Sequence, residues 1–157
     1  MAIRFFDILF SGLAIAALSP LLAPIIIVLL STGEGKVFFR QERVGKGMKT
    51  FRLLKFATML ENSPNIGSGT ITTKNDPRIL PVGRLLRKTK INELPQLLNI
   101  FLGDMSIIGP RPLTKETFSF YPSQTQSSIS LVRPGLSGMG SIIFRNEEEI
   151  IQTQGNA

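Results

Sequence analysis

The chain has 157 residues, a formal net charge of +7, and neither cysteine nor histidine. One domain fits that length. The missing residue types exclude thiol and imidazole nucleophiles, a Ser-His-Asp triad, disulfides and the usual zinc sites, so ionic chemistry falls to carboxylates, Lys, Arg, Tyr121 or a hard metal held by oxygen.

From Ile8 to Gly33 no side chain is charged. The run is long enough for a bilayer span, but Pro20 and Pro24 interrupt it. Ser19 can satisfy a carbonyl that a proline frees. Each half has about 10 residues, about 15 Å of helix, or about half of a hydrocarbon core of roughly 30 Å. A straight or kinked span and a re-entrant hairpin with both ends on one face both fit. A cleaved signal peptide fits less well, because the apolar run is long and the basic residues follow it. Composition favours the simple span.

Basic residues cluster next. Between 34 and 60 lie Lys36, Arg40, Arg43, Lys46, Lys49, Arg52 and Lys55, against Glu34 and Glu42. Between 74 and 90 lie Lys74, Arg78, Arg84, Arg87, Lys88 and Lys90, against Asp76. Such clusters favour phosphate groups of lipid, nucleotide or nucleic acid. Residues 36–56 read as two short strands around Gly45-Lys46-Gly47. Residues 62–78 read as a long loop, and Pro81-Val82-Gly83 leads into a basic helical turn over 84–89. Apolar positions 94, 97, 98, 101 and 102 predict one buried helical face. Residues 122–130 read as a polar surface connection, 133–138 as a turn cluster, and Glu147-Glu148-Glu149 opens a polar tail.

The stretch KTKINELPQLLNIFLGDMSIIGPRP, from Lys88 to Pro112, is the most informative. Asn92 before Glu93-Leu94-Pro95 predicts a helix start with Asn92 as N-cap. Glu93 suits the first turn, where the helix dipole favours an acid; a metal ligand or acid-base group beside a phosphate is its other reading. Asp104 after Gly103 is expected to cap the next element. Arg111 stands between two prolines, which stiffen the loop and lower the entropy cost of presenting a guanidinium to phosphate oxygens. Lys55, Arg87 and Lys88 could serve the same anion. No Walker loop or dinucleotide-binding glycine pattern is present.

In order along the chain, Ser19-Pro20, FFRQERVGKGMKTFRLLKFATM, DPRILPVGRLLRKTKINELPQLLN, GDMSIIGPRP and VRPGLSG resemble the signature of the bacterial sugar transferases, the monotopic phosphoglycosyl transferases. The chain differs at two places: Asn92-Glu93 stands where the family usually has Asp-Glu, and Ala57 where it has Arg. The resemblance implies an α+β fold with a kinked, re-entrant membrane helix over 1–33, bent at Ser19-Pro20. A cytoplasmic, mainly helical transferase domain with a short β-hairpin would fill 34–157. Family members usually continue past the Arg145 region, so that domain is expected to be C-terminally incomplete.

The implied activity moves a sugar-1-phosphate from a UDP-sugar to polyprenyl (undecaprenyl) phosphate, with Mg²⁺, at the cytoplasmic face of the bacterial inner membrane. This is the first step of exopolysaccharide, O-antigen or other glycan assembly. Carried over by position, Asn92 occupies the nucleophile site, Glu93 that of the partner acid and metal ligand, and Arg111 a phosphate-binding site. An amide is a poor nucleophile and a weaker metal ligand than a carboxylate. Three outcomes follow: a catalytically silent paralogue that binds substrate or acts as scaffold for an active enzyme, as a homo-oligomer or with other glycan assembly proteins; attack by Glu93, or by water or the lipid phosphate with Glu93 holding the metal; or an Asn92 that is an introduced change. Nucleic acid is not an expected partner, because no aromatic stacking platform accompanies the charge.

Overall fold

The computed structural model describes residues 2–66 and 76–138. The middle of the expected 62–78 loop, the Arg145 region and the acidic tail lie outside the described residues. The architecture mixes helix and sheet, with a long apolar N-terminal helix and a short antiparallel hairpin.

Helix α1 (Ala2–Ser31) is long and apolar enough to cross a membrane. Its backbone stays helical through Pro20 and Pro24. Pro20 has no N–H to give the Ala16 carbonyl, and the Ser19 hydroxyl donates to that oxygen at 2.8 Å, as the Ser-Pro pair predicts. Residues 4, 7, 11, 14, 15, 18, 22, 25, 26 and 29 are buried or half-buried at helical spacing, while Ile3, Phe6, Phe10, Leu13, Leu21 and Ile27 are exposed. One stripe therefore packs on the domain along the whole helix, and the opposite face stays bare and apolar.

Strands β1 (Phe38–Val44) and β2 (Thr50–Phe56) pair antiparallel, with Val44 opposite Thr50. The turn between them holds the predicted Gly45-Lys46-Gly47, and Gly47 takes the left-handed φ of 67°. Helix α2 (Pro81–Lys88) follows, then a 3₁₀ turn over Ile91–Glu93 and helix α3 (Gln96–Leu102). Strand β3 (Ser106–Ile108) is joined through α4 (Lys115–Ser119) and α5 (Ser123–Ser130) to its parallel partner β4 (Gly135–Ser137). The polar 122–130 segment is thus mostly helix, and the 133–138 turn cluster contains a strand.

Two clusters form the core. Leu53, Leu97, Ile100 and Met105 pack with Ala14, Ile15 and Leu18; Leu29, Phe56 and Leu86 pack with Leu22, Ile25 and Ile26. Helix α1 thus contributes to both. The buried face of α3 is Gln96, Leu97, Asn99 and Ile100, whereas Leu98, Phe101 and Leu102 are exposed. This corrects the predicted face: apolar periodicity does not distinguish core from lipid or partner contact.

Candidate diphosphate-binding site

The site is assembled from three segments. The first is β2, which carries Lys55 opposite Phe39. Asn99 pins this strand to α3: its amide nitrogen donates to Arg52 O at 2.9 Å and to Asp104 Oδ2 at 3.2 Å, and its Oδ1 accepts from Leu54 N at 2.9 Å. Asp104 therefore supports Asn99 rather than capping the next element.

The second segment is the 3₁₀ turn. Lys90 enters it with a left-handed φ of 59°, and Glu93 N donates to Lys90 O at 3.1 Å. Asn92 is not an N-cap, as the sequence suggested. It lies inside the turn, and Pro95 separates the turn from α3, which begins at Gln96. Asn92 is only 6% exposed, and its Oδ1 has no hydrogen-bond partner among the described residues. An orphaned buried amide oxygen is uncommon and calls for an explanation.

The third segment is the Gly109–Pro112 loop. Gly109 N donates to Ser137 O at 3.0 Å and Gly135 N to Pro110 O at 2.8 Å. A Cβ on Gly135 would fall 2.1 Å from Gly109 N, so only glycine permits this approach. On the other flank, Arg43 Nη1 donates to Pro112 O at 3.0 Å and Val44 N to Leu113 O at 2.9 Å. Pro112 is buried; Arg111 is exposed and lines a small cleft with Val44, Gly45 and Pro110.

These segments meet at Lys55. Its Nζ lies 3.5 Å from Glu93 Oε1. Burial lowers the Lys55 pKa below its usual 10.5; Glu93 opposes the shift, while Arg43, Arg111 and Arg87 add to it. One ammonium thus senses one carboxylate and three guanidinia, a cation-rich pocket edge suited to a multiply charged anion. Of the predicted residues, Glu93 pairs with Lys55, and Arg87 and Arg111 act on that ammonium through their charge. Lys88 is exposed on α2, Ser19 and Pro20 are exposed on α1, and none of these three contributes to the field at Lys55. Arg43 was missed as a site residue, although its place in the basic hairpin was a signal.

Among the described residues no cluster of three or more acidic side chains could hold a metal alone. Mg²⁺ needs fewer, because substrate phosphates and water complete its shell. Glu93 and the unpartnered Asn92 Oδ1 are hard oxygen donors on adjacent residues, and they fit that role.

An apolar helix packed on a domain that gathers cations around one acid fits a membrane-associated protein with an anionic ligand. The comparisons narrow this class: the chain belongs to the bacterial sugar transferase family, whose profile matches residues 1–155. It is 37% identical to the exopolysaccharide production protein ExoY of Sinorhizobium fredii, over 92% of this chain and 70% of that protein. It is 37% identical to the UDP-glucose:undecaprenyl-phosphate glucose-1-phosphate transferase of Klebsiella pneumoniae, over 95% of this chain and 32% of that protein. It is 33% identical to the undecaprenyl-phosphate galactose phosphotransferase of Salmonella typhimurium, over 92% and 33% respectively.

Proposed function

We propose that this chain transfers a sugar-1-phosphate from a UDP-sugar to polyprenyl phosphate at the cytoplasmic face of the membrane, in exopolysaccharide or related glycan assembly. The observation that carries the reading is the Lys55–Glu93 pair in the field of Arg87 and Arg111, in a family whose relatives are named for that reaction. Arg111 and Arg87 grip the diphosphate. Glu93 and Asn92 Oδ1 would hold Mg²⁺, which supplies charge neutralisation of the leaving phosphate.

An amide at 92 cannot act as the carboxylate nucleophile. Glu93 is already engaged by the Lys55 ammonium, which favours cation holding over attack. An oxygen of the polyprenyl phosphate therefore forms the new bond to the sugar-bearing phosphorus. The bond from that phosphorus to the bridging oxygen breaks, and UMP leaves with its electron pair. A UDP-sugar labelled on the sugar phosphate tests this directly. No label should remain on the protein without acceptor, and labelled lipid should form with it; label retained on Glu93 would overturn direct transfer.

The amide favours one second reading, a silent homologue that binds UDP-sugar and supports an active partner. Appearance of product only in Asn92→Asp protein would select it.

Both ends of α1 rest on the one domain: Arg4 on the α3 carbonyls, Leu29 against Phe56 and Leu86. These contacts support placing both ends of α1 at the same face of the bilayer, the re-entrant arrangement, rather than on opposite faces. Cysteines placed at residues 3 and 46 should react with an impermeant thiol reagent from the same side of sealed vesicles; opposite sides would mean a span.

A further inference from the structure

We infer that Asp7 is a positioning residue for Arg111, coupling the lipid-facing helix to the phosphate-gripping loop. This rests on the reading of Arg111 given above. Asp7 is the only acid in α1 and is 3% exposed. A buried carboxylate is costly unless its oxygens are satisfied. Here Oδ1 accepts from Ile107 N at 3.0 Å, and both oxygens accept from the Ser106 hydroxyl at 2.9 Å. An apolar side chain at position 7 would pack without that cost, but it would leave β3 untied.

The tie reaches Arg111 with little slack. Three residues separate Ile107 from Arg111. Within them Gly109 is bonded to Ser137 and crowded against Gly135, and two prolines flank the arginine. One turn earlier, Arg4 donates to the carbonyls of Ile100 and, at 2.6 Å, Phe101. The first two turns of α1 therefore hold both sides of the short 103–105 connection between α3 and β3. A shift of the helix in lipid moves the loop that presents the guanidinium.

The test uses the full chain in lipid nanodiscs with Mg²⁺. Calorimetric binding of UDP is the readout, because UDP is common to every UDP-sugar and does not require turnover. Asp7→Ala and Arg111→Ala should each weaken UDP roughly tenfold, and the double variant should be no weaker than Arg111→Ala alone. Asp7→Asn should stay within about threefold of the parent, since one amide oxygen can accept both bonds. Ser106→Ala, a milder change, should weaken UDP about threefold in the parent and have no effect in Arg111→Ala protein; it carries the test if Asp7→Ala fails to insert. Unchanged binding in Asp7→Ala or Ser106→Ala, or additive losses in either double variant, would overturn the coupling while leaving the Arg111 site intact. Unchanged binding in Arg111→Ala would overturn both.

Discussion

The Lys55 ammonium and the Glu93 carboxylate, 3.5 Å apart, join the second strand of the hairpin to the turn that holds Asn92. They come from segments 38 residues apart in sequence, and each is held by its own backbone framework. The pair is the pivot of the site, because three guanidinia act on the same ammonium.

The Lys55 pair sets a pH dependence. Folding lowers the Lys55 pKa, so between the folded value and the unfolded 10.5 the unfolded chain binds more protons. Stability therefore carries a penalty at neutral pH that is relieved as pH rises through that window. Lys55→Met should raise the unfolding midpoint at pH 7 and flatten its alkaline rise, while weakening UDP binding. Glu93→Gln removes the one influence raising the Lys55 pKa, so the rise should begin at lower pH. Thermal scans in detergent from pH 7 to 11 measure both.

Asn92 should show a conflict between stability and function. Its unpartnered Oδ1 makes the amide a burden in the free protein. Asn92→Leu should stabilise the ligand-free fold by about 1–2 kcal/mol, measured by denaturant titration, and abolish Mg²⁺-dependent UDP binding. A loss of stability instead would mean that the amide oxygen is already satisfied.

Asn99 should behave in the opposite way. It is 2% exposed and all its bonds are made. Asn99→Leu leaves Leu54 N and Arg52 O without their partner and should cost about 3 kcal/mol. The same titration reads it.

Gly135 tests the loop framework. A Cβ there meets backbone rather than a movable side-chain end. Gly135→Ala should cost about 1–3 kcal/mol and weaken UDP binding by displacing Arg111, while Gly47→Ala, at the open tip of the hairpin, should leave UDP binding unchanged. Parallel calorimetry on the two variants separates a local clash from a general loss of fold.

Local signals made part of this molecule legible. The Gly45-Lys46-Gly47 turn between apolar strands gave the hairpin, and the uncharged run after Asp7 gave α1. Lys55, Arg87, Lys88 and the proline-bounded Arg111 were readable as cations for one anion, and the charges of Arg87 and Arg111 do act on the Lys55 ammonium. The start of α3 was misplaced because Asn92 and Pro95 both look like helix openers, and the structure uses them in two successive turns. The apolar face of α3 was misread because Leu98, Phe101 and Leu102 are apolar without being core. Helix α5 hid behind its serines, whose local hydrogen bonding lowers helix propensity. Asp7 was invisible as a partner because Ser106 and Ile107 lie about 100 residues away, and no local pattern encodes that contact.

The most direct test of the account is UMP release by the purified protein in nanodiscs, with UDP-sugar, polyprenyl phosphate and Mg²⁺. Release should need the lipid acceptor and be lost in Glu93→Ala and Arg111→Ala proteins. No release from the parent, with release restored by Asn92→Asp, would contradict the account.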